Sequence, residues 1–335
     1  MRKSSVFILG ATLSFAFVIN GMQTVKVAAE DVCVYVGGMS AGFTLRTNGV
    51  QIIGICEVVT ENGTSAPAAE AGIHAGDVIV KAGGISINSI SELNEIINKT
   101  QGKGINVEIY RGKTQICVEV LPAKDKLTQN YKIGVLVRDC VSGIGTVTYI
   151  EKESGRFGAL GHSVTGENRQ KMQITDGKVY ECSIIGVKKG VRGAAGELRG
   201  MFLNEKLLGN AEKLTDCGIF GNVSTEFQGK ELINAIADSH DVKPGGAYIY
   251  STVNGVCPKR YEIEIVKVDK NNKENKNYVI KIVDEELLEE TGGIVQGMSG
   301  SPILQNGYLV GAVTHVFLND PTRGYGIDIC TMLEE

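Results

Sequence analysis

The sequence predicts a mainly β protein built from two packed domains, and three features carry that expectation. The chain has 335 residues, more than one hydrophobic core comfortably serves. Its 43 glycines stand against only 6 prolines and accompany many β-branched residues, a balance that favours turn-rich β architecture over helix bundles. Short apolar runs punctuated by glycine recur at 133–138, 145–150, 179–187, 247–253, 261–268 and 278–283, as they do in a sandwich or barrel.

Taken in order, the chain opens on Arg2 and Lys3 followed by an apolar stretch at 6–19, the profile of an export signal. The stretch is shorter than the roughly 20 residues that span a bilayer comfortably. The small residues of Val27-Ala28-Ala29 suit signal peptidase. Residues 1–29 therefore read as a signal peptide or a retained signal anchor, and the remainder as working beyond the cytoplasmic membrane. No later segment is long and apolar enough to add a second span.

Residues 32–122 read as one module. Strands are expected at 32–36 and 50–55, then Ala68-Ala69-Glu70-Ala71-Gly72-Ile73-His74-Ala75-Gly76-Asp77-Val78-Ile79 gives a short helix, a stop and a turn into a strand. A second helix is expected over 91–98, with Ser89 and Glu92 at capping-box spacing. Strands at 106–110 and 115–121 close the module. The A-x-x-A-G-I-x-x-G-D-x-I run resembles the signature of PDZ domains in proteases. Such modules add a peptide strand to a sheet edge and hold its terminal carboxylate in a nest of backbone N–H groups. That resemblance implies a nest at Ser40, Ala41, Gly42 and Phe43. Phe43 and Leu45 would lie on the augmenting strand and Leu93, Ile96 and Ile97 along the groove; Phe43 and Leu45 read equally well as core. His74 reads as a surface residue.

The polar run 122–126 reads as a linker, and 123–335 as the second domain, with 269–276 a solvated hairpin loop. Its chemistry centres on Gly297-Met298-Ser299-Gly300-Ser301-Pro302. Small neighbours let the chain turn sharply so that a serine Oγ stands clear of the backbone. The N–H groups of Gly297 and Ser299 can then converge on one point as an oxyanion hole. Asn306-Gly307 between apolar runs is a strong hairpin signal, so the serine precedes a β-hairpin. Glycine-rich turns with serine are also common in β proteins that catalyse nothing.

A serine nucleophile needs a base. His162 follows a predicted strand among small residues, His240 lies in a polar turn, and His315 sits on the last hairpin, where packing or capping is expected; His162 is favoured. The base in turn wants a carboxylate. Asp284 closes the strand at 278–283, while Asp176, Asp241 and Asp320 compete with it. Ser301 is the rival nucleophile, but the G-x-S-G register favours Ser299.

Eight cysteines are spread without a C-x-x-C pair, which argues against a zinc site and leaves disulfide pairing open. A formal net charge of −4 gives no electrostatic reason to expect nucleic-acid binding. No cofactor is implied.

The run G-x-S-G-x-P is similar to that around the nucleophile of chymotrypsin-like proteases. A PDZ-like module, then Gly161-His162-Ser163, then Asp284, then the stretch 292–302, extended by 311–315 and 319–322, resembles the stage IV sporulation protein B peptidase family over nearly the whole chain. That resemblance implies a chymotrypsin-like β-barrel peptidase domain and a serine peptidase whose His, Asp and Ser are His162, Asp284 and Ser299. It also implies export into the space between the two forespore membranes, where such a protein cleaves itself. The implied target is a membrane-bound regulator that holds an intramembrane protease inactive, so that a mother-cell sigma factor matures. The implied partners of the PDZ module are the chain's own amino-terminal region and then that regulator. Two other readings stay open: a non-catalytic PDZ adaptor and a general quality-control protease of the envelope.

Overall fold

The computed structural model describes residues 32–164, 174–224 and 233–335; the export signal expected at 1–29 lies outside them. No helix among the described residues is long and apolar enough to cross a membrane. The fold is mainly β, with the module expected at 32–122 towards the amino terminus and the second domain after it.

The first elements are strands β1 (Val32–Val36) and β2 (Ser40–Ile55), then β3 (Val58–Thr60), β4 (Gly63–Ser65), α1 (Pro67–Glu70), β5 (Val78–Ala82), β6 (Ile85–Ser86), α2 (Ile90–Lys99), β7 (Ile105–Arg111) and β8 (Thr114–Val120). The capping box expected at Ser89 is present. Ser89 Oγ accepts the N–H of Glu92 at 3.2 Å, and the Glu92 carboxylate reaches back to the N–H of Asn88 at 2.8 Å. Leu93 and Ile97 of α2 join Ile52, Ile79, Val107 and Ile109 in the module core. The Gly76-Asp77 turn has a structural task. Asp77 is only 1% exposed and takes two 2.8 Å hydrogen bonds from Arg111 and one from the N–H of His74. Burial works against its charge, but the Arg111 and His74 hydrogen bonds win and hold the carboxyl below its ordinary value. His74 itself is exposed, as expected.

The polar run after the module is not a free linker. It forms β9 (Ala123–Lys124), paired with β10 (Tyr131–Lys132), and Asp125 folds the turn by accepting the N–H and hydroxyl of Thr128.

The second domain continues with β11 (Val135–Glu151), β12 (Arg156–Ala159), β13 (Ile174–Lys188), β14 (Glu197–Thr215), β15 (Gly218–Val223), β16 (Asn234–Ala237), β17 (Gly245–Ser251), β18 (Lys259–Val268) and β19 (Tyr278–Ile282). It ends with α3 (Glu285–Thr291), β20 (Pro302–Gln305), β21 (Tyr308–Phe317), β22 (Asp320–Asp328) and α4 (Ile329–Leu333). Among the described strands, pairing is antiparallel except where β16 meets β21; Glu197 of β14 also makes an isolated parallel bridge to Gln296. The expected hairpin turn has both Asn306 (φ 53°) and Gly307 (φ 88°) left-handed, as a two-residue turn of this type needs.

The expected peptide nest is corrected here. Residues 40–46 of β2 pair with β11 on one side, Phe43 facing Gly143, and residues 41–47 pair with β13 on the other, Phe43 facing Val179. Ser40 is buried and its hydroxyl donates to the carbonyl of Thr252, and Phe202 packs against Gly42. Ala41, Phe43 and Leu45 belong to a core of the second domain with Val147, Leu160 and Ile219. A strand paired on both sides has no free edge to offer a peptide, so Ala41, Gly42 and Phe43 are core, and Ser40 joins them by its burial. After a bend at Gly49 (φ 91°), the same strand enters the module, where Val50 pairs with Ile79.

The edge of β2 beside α2 is also filled. Val135–Arg138 of β11 pair with 51–55. Ile133 is buried in the module core, with Val135 and Val137 packed on it. The N–H of Ile90, at the start of α2, donates to Asp139 at 2.9 Å, and Asn98 near its end accepts the N–H of Tyr131 at 2.8 Å. The chain's own continuation therefore occupies the place expected for a guest strand.

Candidate active site

The loop between α3 and β20 is shaped by hydrogen bonds that leave two N–H groups unclaimed. The N–H of Met298 donates to Val295 O at 3.1 Å, that of Gly300 to Val313 O at 2.7 Å, and that of Ser301 to Met298 O at 3.0 Å. Ser299 O accepts the N–H of Thr146 at 2.9 Å. Two fully buried threonines of β11 tether the loop from behind, Thr146 Oγ1 donating to Gly297 O and Thr148 Oγ1 to Gly300 O, both at 2.8 Å. Met298 is fully buried in the core and anchors the turn. Among the described residues the N–H groups of Gly297 and Ser299 have no partner.

Glycine is required at Gly300. Its φ is 95°, and an added Cβ would lie 2.1 Å from Thr146 O. The tight approach is what brings β11 and the serine loop together.

Ser299 and Ser301 have different surroundings. Ser301 is fully buried with its hydroxyl donating to that of Ser251 at 3.1 Å. Ser299 is part-buried, lines the cavity, and donates its hydroxyl to Thr314 O at 2.9 Å.

His162 reaches the same cavity by a left-handed step in the chain, with Leu160 at φ 69° and Gly161 at φ 68°. Its Nδ1 lies 2.8 Å from Ser163 O. That contact requires the Nδ1–H tautomer, leaving Nε2 as the basic nitrogen. Burial pushes the ring's pKa below its ordinary value, against the opposing Ser163 hydrogen bond. His315 stands tilted against it, ring centroids 4.9 Å apart. Although partly open to solvent, His315 is held down to about 4 by the atoms packed around its ring, by His162 and by Lys276. His162 and Ser299 share the cavity without a hydrogen bond between them, an arrangement common before substrate tightens a site.

The carboxylate expected beside His162 is elsewhere. Asp284 is the N-cap of α3, one oxygen accepting the N–H of Leu287 at 3.0 Å and the other that of Glu262 at 3.1 Å. It lines no part of the cavity, and the group at His162 Nδ1 is the Ser163 carbonyl. Asp176 pairs at the surface with Arg46, and Asp320 caps its own turn through Thr322. His240 is exposed and bonded to Asp238.

The cavity holds about 480 Å³ and lies where two hydrophobic clusters meet, a usual position for a binding site. The family model for SpoIVB peptidase S55 matches residues 129–333, more than half of the chain, and takes in His162, Ser299 and His315. The chain belongs to the SpoIVB peptidase S55 family. It is a serine peptidase, and a PDZ domain model matching residues 37–121 makes it a PDZ-containing one. Two solved structures are similar to parts of this S55 peptidase. The PDZ domain of the SdrC-like protein from Listeria monocytogenes is 20% identical, with 28% of this chain and 90% of that chain covered and a TM-score of 0.23. Human heparin binding protein is 11% identical, with 52% and 70% covered and a TM-score of 0.26.

Three participants in the peptidase's site escaped sequence reasoning. His315 was assigned to packing, yet it lines the cavity. Thr314 supplies the carbonyl that holds Ser299, and its own hydroxyl is buried without a partner. Thr146 grips the serine loop from 151 residues away in sequence. No local pattern marks such a residue, because its partner is a backbone carbonyl.

Proposed function

We propose that this S55 peptidase is an exported endopeptidase in which Ser299 is the nucleophile, His162 the general base, and the N–H groups of Gly297 and Ser299 the oxyanion hole. The observation that carries the proposal is the tethered loop, which leaves those two N–H groups unclaimed beside a serine and a neutral histidine in one cavity. A χ1 rotation takes Ser299 Oγ from Thr314 O towards the substrate carbonyl. His162 accepts the proton at Nε2 and later delivers it to the leaving amine, after which water attacks the acyl-enzyme and regenerates the serine. Each oxyanion donor contributes about 3 kcal/mol to the transition state. In the described arrangement the Ser163 carbonyl fixes the His162 tautomer, and Asp284 fixes the start of α3.

The family name supports a role in sporulation. On that basis the peptidase acts in the forespore intermembrane space, cleaves itself, and cuts a membrane-bound regulator of an intramembrane protease so that a sigma factor matures. Because Ala41–Phe43 are paired on both sides and Ser40 is buried, target recognition falls to the active-site cleft and to the remaining faces of the module. The test is to express the full chain and its Ser299→Ala variant and follow size and new amino termini over time. Trimming by the parent alone supports the proposal. If both stay whole and neither cuts a candidate regulator, the adaptor reading replaces it.

A further inference from the structure

We infer that the cavity beside Ser299 is an apolar side-chain subsite, so that this peptidase selects substrates by a bulky aliphatic or aromatic residue next to the bond it cuts. The inference rests on the peptidase reading above and names the substrate class for that site.

The walls carry the argument. Phe43 of β2, Ile144 of β11, Leu160, Val295, Val316 and Leu318 line the cavity. Among the described residues lining the cavity, none is Asp, Glu, Lys or Arg, and the only titratable side chains are His162 and His315. Both are held towards the neutral form. A charged substrate side chain entering such a space would give up its water and find no counter-charge. An apolar one would bury its surface with nothing left unpaired. The volume of about 480 Å³ falls within the range of small-ligand pockets, about 300–1,000 Å³, which leaves room for a large side chain with adjoining backbone.

One wall has an unexpected source. Phe43 lies in the stretch that the PDZ model matches, but its ring turns into the peptidase side and helps shape this subsite. The module's entry strand is therefore part of the substrate-selecting surface.

The test uses the full chain with internally quenched peptides that differ only at the residue preceding the cleaved bond: Leu, Phe, Ala, Lys and Glu. Binding of the same five peptides to Ser299→Ala is measured by calorimetry. A pocket of this kind discriminates by about 10–200-fold for a single methylene, so Leu and Phe should exceed Ala by at least ~10-fold in kcat/KM and in affinity. Lys and Glu should fall below Leu by about 100-fold or more. Val316→Asp, at a half-buried wall position, should reverse the order of Leu and Lys while its melting curve confirms that it folds. If the parent cuts Lys or Glu peptides as fast as Leu peptides, or if Val316→Asp leaves the order unchanged, the subsite is overturned while the peptidase reading stands. If the parent cuts nothing but Ser299→Ala binds the apolar peptides selectively, the peptidase reading fails and the apolar subsite stands.

Discussion

Replacing Thr146 by valine removes one oxygen atom from the fold and tests the shape of the proposed oxyanion hole. Thr146 is fully buried, and its hydroxyl is 2.8 Å from Gly297 O, itself buried. Valine keeps the shape but leaves that carbonyl without a donor, which costs about 1–3 kcal/mol of stability. The larger effect falls on rate. The tether sets the plane of the peptide carrying Gly297 O, and so constrains the loop that aims the neighbouring Gly297 N–H. Loss of one oxyanion donor lowers kcat by about 10²–10³, with KM little changed because the contact strengthens only in the transition state. Thr148→Val is the internal control. Its hydroxyl holds Gly300 O at 2.8 Å, while the N–H of Gly300 is already given to Val313 O. It should lose comparable stability and far less rate. The assay pairs kcat and KM on a quenched peptide with urea melts of the same preparations. If Thr146→Val loses stability but keeps kcat within about twofold, the tether is structural only, and Gly297 N–H is not an oxyanion donor of the size cited.

Three further outcomes are expected. Burial holds the folded-state pKa of His162 below 6.5, and the proposed base must be neutral to work, so the acid limb of kcat/KM against pH should lie below pH 6.5. A limb centred above that value would mean that a carboxylate stabilises the imidazolium. The stability sign agrees: the unfolded chain takes up the proton first, so the contribution of His162 is complete above about pH 6.5 and is lost as pH falls towards the folded value. Asp284→Ala removes the α3 cap and should cost about 0.5–2 kcal/mol in a denaturant melt, whereas Asp284→Asn, also a good cap, should recover most of it; equal loss in both would refute the capping role. Gly300→Ala must place a Cβ 2.1 Å from Thr146 O at φ 95° and should destabilise by more than ~3 kcal/mol. Gly255→Ala has φ 66° and open space, so it should cost only about 1–2 kcal/mol; similar losses would refute the steric account.

Much of this was legible in the sequence because the signals are local. The Asn306-Gly307 turn, the Ser89 cap and the Gly76-Asp77 turn each depend on residues within a few positions, and the structure contains all three. The serine loop was legible for the same reason. What escaped was set by long-range pairing. Residues 40–43 read as a nest through the PDZ resemblance, but β11 and β13 arrive from about 100 and 140 residues away and claim the strand's edges. Asp284 read as an orienting acid because it ends a strand. The same position also starts a helix, and the cap at Leu287 N is the nearer claim. His315 read as packing because nothing in Val313-Thr314-His315 tells which side of β21 faces a cavity.

The module and the site are linked more directly than two domains in series would be. β2 carries Phe43 at the cavity and, past the bend at Gly49, Ile52 in the module core. β11 carries Val137 against that core, Ile144 at the cavity, and then Thr146 and Thr148 on the serine loop. The module is thus an excursion between two neighbouring strands, and both strands pass from it into the walls of the site without a break. Close-packed interiors transmit small displacements because they have few voids to absorb them. A change in how Val135 and Val137 seat against the module core would therefore act along β11 on the two hydroxyls that shape the serine loop. Substitutions at Val137 that leave every cavity residue intact should accordingly alter kcat as well as module stability.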